Sequence, residues 1–149
     1  MLKGILRFLR LRKIVVATGG GFDPLHEGHI RLFKEAAKLG DILVVMLNSD
    51  EQLKKKKGQT FYLSEDERKE IVESIRYVDR VIIDPGKDVT CEEALKLVSP
   101  DIFAKGGDRT EEGMPEIELN VCKEVGCRIV YNVGGEKVQS SSWLLKRLK

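Results

Sequence analysis

The stretch GGGFDPLHEGHIRLF, residues 19–33, contains three consecutive glycines, an Asp-Pro pair and both histidines of the chain, His26 and His29. It follows the run KIVVAT, residues 13–18, whose β-branched composition is typical of a buried strand. Helical spacing of apolar residues starts within the stretch itself, from about Glu27. The stretch therefore predicts a sharp turn that leads from a strand into a helix.

Four further apolar runs have the length and composition of buried strands: DILVVML at 41–47, RVIID at 80–84, DIFAK at 101–105 and CRIVYNV at 127–133. The segments between them show helical periodicity, and Ser64 with Glu67 forms a capping-box signal. Alternating strands and helices with short connections imply right-handed crossovers. The expected fold is α/β, a three-layer Rossmann-like arrangement in which a parallel five-stranded sheet has helices on both faces.

The chain has 149 residues, of which 42% are hydrophobic, enough for one ordinary core. We expect a basic N-terminal extension, residues 1–12, followed by a single domain over 13–149. The extension is interrupted by charges, so it does not resemble a signal peptide; it is either a short packed helix or a segment that touches anionic lipid.

Charge and cysteine content exclude several classes of binding partner and structural site. The formal net charge is +2, which marks neither a nucleic-acid coat nor a membrane binder, and no apolar run approaches the ~20 residues of a membrane span. The three cysteines are odd in number and lack CxxC spacing, which argues against a disulfide framework or a zinc knuckle. These features favour a cytoplasmic protein.

Ligands of open parallel sheets collect beyond the carboxyl ends of the strands, and the unusual segments of this chain fall there. The glycine–histidine turn follows the first strand, NSDEQLKKKKG the second and GGDRT the fourth, while the serines of VQSSSWLLKRLK open the last helix after the fifth. We therefore expect one site to draw on all four segments.

Known motifs do not account for the turn. The third glycine of a dinucleotide GxGxxG, counted from Gly19, would fall at Pro24, the P-loop pattern is absent, and HEGH has the wrong spacing for a zinc-protease HExxH. Metal binding by the two histidines is a weak alternative. What remains is an anion site, in which glycine amides, a helix N-terminus and two imidazoles hold a polyphosphate.

The same residues resemble the cytidylyltransferase-like nucleotidyltransferases, whose mark is G-x-F-D-x-x-H-x-G-H. The match is GGFDPLHEGH, with Gly20, Phe22, Asp23, His26, Gly28 and His29 in register. The similarity continues through PDIFAKGGD and SSSWLLKRL and covers about residues 13–149. It implies transfer of a nucleoside monophosphate from an NTP to a phosphate monoester, with release of pyrophosphate.

The resemblance also implies roles for individual residues. The catalytic set is His26, His29 and Lys57, although Lys57 also fits a solvated loop charge. Arg68 is an acceptor-binding residue by resemblance, and a surface ion pair is the competing interpretation. Nucleotide and phosphate binding falls to Gly20, Gly21, Phe22, Asp23, Gly28, Lys105, Gly106, Gly107, Asp108, Ser140, Ser141 and Ser142. No protein metal site is expected, since Mg²⁺ arrives with the NTP and is held chiefly by its phosphates.

The substrates are less well defined. PDIFAKGGD looks like the adenylyltransferase part of ADP-heptose synthase, whereas FYLSEDERKEIVESIRYVD is similar to glycerol-3-phosphate cytidylyltransferase. ATP with a sugar or polyol phosphate is favoured. CTP with glycerol 3-phosphate or an ethanolamine-type phosphate, an FAD synthetase-like reaction and a non-catalytic nucleotide-binding regulatory module remain alternatives. The expected partners are the NTP and a small phosphorylated substrate, without nucleic acid, and a homodimer is left open.

Overall fold

A computed structural model describes residues 12–58, 62–107 and 109–148. Its five strands are β1 (Val15–Gly20), β2 (Ile42–Leu47), β3 (Arg80–Ile83), β4 (Ile102–Gly106) and β5 (Arg128–Val133). They form one sheet in the order β3-β2-β1-β4-β5, and every neighbouring pair is parallel. The predicted three-layer α/β fold is confirmed. The expected N-terminal extension lies, apart from Arg12, outside the described residues.

The helices in the described part of the chain are α1 (Glu27–Ala37), α2 (Asp50–Lys57), α3 (Glu65–Glu73), α4 (Glu92–Val98), α5 (Glu116–Val125) and α6 (Ser141–Lys146), with a 3₁₀ turn at Glu111–Gly113. Side-chain capping fixes where several of them begin. Ser64 caps α3 in a reciprocal capping box with Glu67, as the sequence predicted, and Ser49 caps α2 in the same way.

Alternate residues of the sheet serve two cores, one on each face. On one face Val16 and Val45 pack with Phe33 of α1 and Val72 of α3. The opposite face, which includes Ala17, Met46 and Phe103, packs against α4 and α5. The strands are apolar on both faces because both faces are covered by helices.

An aspartate precedes each of three strands and ties it to its neighbour. Asp41 accepts a hydrogen bond from the Ile14 amide at 2.8 Å, and Asp101 accepts one from Val15 at 2.9 Å. In the same way, Asp79 accepts from Leu43 at 2.8 Å. These carboxylates satisfy backbone donors at the amino ends of the strands. The predicted site is at the opposite edge of the sheet, where the strands have their carboxyl ends.

The strand order reverses at β1, which lies between β2 and β4. Chain segments leaving β1 and β4 therefore diverge and leave a crevice at their carboxyl ends, the usual ligand position in such sheets. The loops after β4 and β5 close one side of it, and they touch at two glycines: a Cβ on Gly107 would lie 1.8 Å from the carbonyl oxygen of Gly135.

This contact allows a matched test of loop packing. We expect Gly107→Ala to lower the free energy of unfolding by about 2 kcal/mol or more, since a backbone carbonyl must move. Gly106→Ala is the control, because a Cβ there has no neighbour within 4 Å; its effect should stay within about 1 kcal/mol. Urea unfolding measures both, and equal losses would contradict the close approach of the two loops.

Candidate active site

The two histidines of the turn cap α1 reciprocally. His26 is the N-cap residue, and its Nδ1 accepts a hydrogen bond from the Gly28 amide at 3.1 Å. The Nδ1 atom of His29 accepts one from the His26 amide at 3.2 Å. The rings stack with centroids 3.7 Å apart. Spacing of three residues thus builds a capping box from imidazoles in place of the usual Ser and Glu.

This geometry sets the protonation of both rings. A nitrogen that accepts a hydrogen bond carries no proton, so each neutral ring has its proton on Nε2. Burial, followed by the neighbouring His26 and Lys57, lowers the pKa of His29 to about 3. Burial also lowers the pKa of His26. At neutral pH the pair therefore offers two neutral N–H donors, one from each ring.

Phe22 holds the His29 ring from the other side. Its ring meets His29 edge-on at 4.8 Å and Phe33 at 5.1 Å, within the core. The backbone of Phe22 has φ 51°, in the left-handed region that a bulky residue rarely adopts. The strained turn directs the aromatic ring against His29.

Two cavities meet at the carboxyl edge of the sheet. The first, the glycine–serine cavity, has a volume of about 250 Å³, and its lining includes His26, Gly28, Gly107, Ser140 and Ser141. The second, the cationic cavity, has a volume of about 370 Å³, and its lining includes Asn48, Lys56, Lys105, Arg109 and Glu118. His29, Leu32 and Gly106 line both, so His29 stands where the two cavities join.

The cationic cavity concentrates positive charge. Burial, and then the charges of Arg109 and Lys105, lowers the pKa of Lys56. The residue as a whole is exposed. Lys105 also lies over the Phe103 ring at 4.6 Å and within 3.8 Å of the Glu118 carboxylate. Three cations against one carboxylate favour an anionic ligand.

Lys57 is placed differently from the sequence-based expectation. Its ammonium donates to the Asp23 carbonyl at 2.5 Å and lies 3.7 Å from the Asp23 carboxylate, and Lys57 lines neither cavity. The neighbouring Lys56 lines the cationic cavity. Successive helical residues point about 100° apart, which is why one of two adjacent lysines faces the cavity and the other faces the turn.

Asp23 and Arg68 connect backbone segments in this structure. The buried Asp23 carboxylate accepts from the amides of Tyr62 and Leu63, at 2.8 and 3.2 Å. Arg68 has a fully buried side chain that donates to the carbonyls of Leu63, Gly21 and Asn48 and pairs with Asp50 at 2.8 Å. Neither residue lines either of the two cavities, so acceptor binding by Arg68 and phosphate binding by Asp23 stay predictions that these contacts do not support.

The serines at the start of α6 have distinct positions. Ser140 is the N-cap and accepts from the Trp143 amide at 3.1 Å, while Ser141 donates to the Pro24 carbonyl at 3.0 Å. Ser142 is exposed, and its hydroxyl lies 3.0 Å from that of Ser140. The hydroxyl of Ser141 thereby ties α6 to the glycine–histidine turn.

The remaining predicted residues divide between the cavities. Gly20, Phe22 and Lys105 line the cationic cavity, Gly28 and Gly107 line the glycine–serine cavity, and Gly106 lines both. Gly21 lines neither cavity; it is packed against Leu53, which a Cβ there would meet at 2.6 Å. Asp108 lies outside the described residues.

Sequence reasoning missed Asn48, Lys56, Arg109 and Glu118, all of which line the cationic cavity. Glu118 had a signal in the sequence. It stands three and four residues before the buried Val121 and Cys122, on the apolar face of α5. A carboxylate on that face indicates a functional or paired acid, because acids are rarely buried without a partner.

Comparison with known proteins bears on this site. Residues 17–142 match the cytidylyltransferase-like family, a range that holds the glycine–histidine turn and the start of α6. The chain belongs to the cytidylyltransferase-like family. Among the described residues, no helix has the length and apolar character needed to cross a membrane.

Similar proteins include an FAD synthase of Pyrococcus abyssi, 42% identical over 98 residues, which are 66% of each chain. The bifunctional protein HldE of Desulfatibacillum aliphaticivorans is 37% identical over 142 residues, 94% of this chain and 28% of that protein. The chain thus spans somewhat under two thirds of the FAD synthase and about a quarter of HldE. A crystal structure of the lipopolysaccharide core biosynthesis protein from Thermoplasma volcanium is similar with a TM-score of 0.69 at 30% identity, over 85% of this chain and all of that one.

The neutral state of His29 predicts a pH dependence of stability. Because the folded pKa is about 3 against an ordinary 6.5, the unfolded chain takes up a proton first as the pH falls. Stability is therefore lost between about pH 6.5 and 3, by at most about 1.4 kcal/mol per pH unit from this group. His29→Gln keeps an acceptor at the same helix position. The free-energy difference between wild type and variant should shrink from pH 7 to 4, and parallel curves would contradict the assignment.

The Arg68 contacts predict a structural effect. Arg68→Met leaves three carbonyls and Asp50 without their donor, and we expect a loss of about 3 kcal/mol in the free energy of unfolding. Arg76→Met, at an exposed position after the same helix, is the control and should change stability by less than about 0.5 kcal/mol. If Arg68→Met unfolds like wild type in urea, these contacts do not hold the segments together.

Proposed function

We propose that the protein is a nucleotidyltransferase that moves AMP from ATP to a sugar or polyol phosphate and releases pyrophosphate. The observation that supports this most directly is the position of His29 at the junction of the two cavities. One cavity suits a nucleotide and the other an anionic acceptor. A group that lines both can act where the two substrates react.

The nucleotide is assigned to the glycine–serine cavity. Its wall at Gly106 and Gly107 presents backbone without side chains, so a base or phosphate can approach closely. Ser140 and Ser141 supply hydroxyls opposite the imidazole of His26. This division retains the predicted phosphate-binding role for the two serines that line the cavity, while Ser142 acts only through Ser140.

The two imidazoles are assigned to the triphosphate. In the reaction an oxygen of the acceptor phosphate attacks the α-phosphorus in line, the new P–O bond forms, and the bond to the bridging oxygen of the leaving pyrophosphate breaks. No protein nucleophile takes part. The Nε2–H donors of His26 and His29 offset charge on the α-phosphate and bridging oxygens, and a preorganised donor of this kind is worth about 3 to 4 kcal/mol in the transition state.

The acceptor phosphate is assigned to the cationic cavity. Lys105 and Lys56 stand in its wall with Arg109, and together they offset the repulsion between two anionic substrates. The resemblance had placed the neighbouring Lys57 in the catalytic set. The structure favours Lys56 for it, with Lys57 acting through Asp23 on the shape of the turn.

Magnesium enters the proposal with the nucleotide. Within the described residues no group of three or more His, Cys, Asp or Glu side chains is arranged to hold a metal ion. The donors that are present, imidazole N–H groups and ammonium groups, suit phosphate oxygens. The ion would be bound mainly by the triphosphate and would neutralise part of its charge.

The names of the relatives favour adenylyl transfer. FAD synthase similarity over 98 residues supports a second candidate, transfer of AMP to a flavin phosphate. The HldE similarity extends over 94% of this chain and supports a sugar phosphate. CTP-dependent transfer to glycerol 3-phosphate, and nucleotide binding without turnover, are the outcomes to test against these.

A substrate panel tests the proposal. Pyrophosphate release is measured with each of four NTPs against sugar, glycerol, ethanolamine and flavin phosphates, with Mg²⁺ present. We expect ATP and one sugar or polyol phosphate to be preferred. Preference for CTP would replace the adenylyl assignment, and tight ATP binding without any pyrophosphate would support a regulatory module.

The same assay examines the histidines with the preferred pair. His26→Asn and His29→Gln should each lower kcat by about 10²- to 10³-fold, as expected for loss of one preorganised donor. Lys34→Gln, at an exposed position of the same helix that lines neither of the two cavities, is the control and should leave kcat within about twofold.

A further inference from the structure

Glu118 is a buried carboxylate in the wall of the cationic cavity. Only 5% of the residue is exposed. One of its oxygens, Oε2, accepts a hydrogen bond from the Cys91 amide at 3.2 Å, which fixes the orientation of the group. The other, Oε1, is buried and has no hydrogen-bond partner among the described residues. Lys105 Nζ lies 3.8 Å from it, close enough for an ion pair but too far for a hydrogen bond.

Asn48 lines the same cavity and carries a second acceptor without a partner. The residue is 4% exposed, and its Nδ2 donates to Gln52 at 3.4 Å. This orientation leaves Oδ1 buried, again without a hydrogen-bond partner in the described part of the chain. The Gln52 side chain is itself held by the carbonyls of Asp88 and Thr90, so the amide of Asn48 lies against an ordered neighbour.

Two such acceptors, on residues that line one cavity, are unfavourable without a ligand. A buried polar group without its hydrogen bond costs about 1 to 3 kcal/mol, and a charged one costs more. A ligand that brings O–H donors removes that penalty, whereas one that brings only a phosphate and apolar carbons leaves it. The cations bind the phosphate group, but by themselves they would bind any phosphate monoester.

The charges of the cavity also exclude one kind of donor. An ammonium headgroup could donate to Glu118, but Lys105, Lys56 and Arg109 stand in the same wall and repel it. A neutral hydroxyl meets no such repulsion. The combination of three cations with two oxygen acceptors therefore matches a phosphate attached to a hydroxylated carbon skeleton.

We infer that Glu118, assisted by Asn48, is a specificity-determining residue that selects a polyhydroxylated acceptor phosphate by accepting a hydrogen bond from one of its hydroxyls. The inference rests on the proposed function, since it takes the cationic cavity to be the acceptor side. It adds the residue that distinguishes one phosphate monoester from another.

The test compares ligands that differ only in hydroxyls. Binding of myo-inositol 1-phosphate and cyclohexyl phosphate, and of glycerol 3-phosphate and propyl phosphate, is measured by calorimetry with a non-reactive ATP analogue and Mg²⁺ present. We expect the hydroxylated member of at least one pair to bind about tenfold tighter or more to the wild-type protein. Equal binding within both pairs would overturn the inference.

Variants assign the preference to Glu118. Glu118→Met should reduce the ratio within that pair to about one, while inorganic phosphate binds as tightly as before or more tightly, since a negative charge has left the cationic cavity. A merely structural role would weaken every ligand and keep the ratio. Glu118→Gln, which retains an acceptor for the Cys91 amide, is the variant to use if the Met protein does not fold, and it should lower the ratio several-fold. Glu116→Met, exposed on the same helix, should keep the wild-type ratio.

This experiment separates the inference from the proposed function. A hydroxyl preference that Glu118→Met abolishes, in a protein that releases no pyrophosphate, would support the selective role and reject nucleotidyl transfer. If the protein releases pyrophosphate but Glu118→Met leaves the hydroxyl preference unchanged, nucleotidyl transfer is supported and the selective role of Glu118 is rejected.

Discussion

The site depends on the reciprocal hydrogen bonds between His26 and His29. Each imidazole uses Nδ1 to accept from a backbone amide at the start of α1, and these bonds fix both rings as neutral Nε2–H donors. Protonation of either Nδ1 would break a cap and bring a charge into a stacked pair. Helix initiation and the chemistry of the turn therefore require the same protonation state, which explains why imidazoles stand where Ser and Glu would cap equally well.

Around this pair, charged side chains hold backbone segments in place. Arg68 joins the glycine turn, the end of β2 and the segment before α3, and Asp23 holds that last segment by two amides. Lys57 completes the arrangement through Asp23. Lys57 pairs with Asp23, while Arg68 pairs with Asp50 and donates to three carbonyls. Through these contacts Arg68, Asp23 and Lys57 shape the turn that carries His26 and His29.

The sequence predicted the strands and their parallel arrangement, because apolar runs, glycines and capping residues are local signals. It did not separate Lys56 from Lys57, since that distinction depends on the rotational phase of α2 relative to the sheet. Nor did it distinguish a buried Arg68 from a surface one, because the carbonyls that surround its guanidinium come from three separate segments. The burial of Glu118 could have been predicted from its place on the apolar face of α5.

Cations outnumber carboxylates in the lining of both cavities, which fits the proposed transfer between two anions. The glycine–serine cavity presents the two imidazoles, serine hydroxyls and the charged side chains of Arg31, Glu136 and Lys137, whereas the cationic cavity presents Lys56, Lys105 and Arg109 with Glu118. If the imidazoles were charged, they would hold the triphosphate and the released pyrophosphate more tightly in the ground state, which does not accelerate the chemical step. Neutral donors placed at the reacting phosphate act mainly as its charge develops. In the proposed reaction, the cations that line both cavities would offset the repulsion between the two anionic substrates.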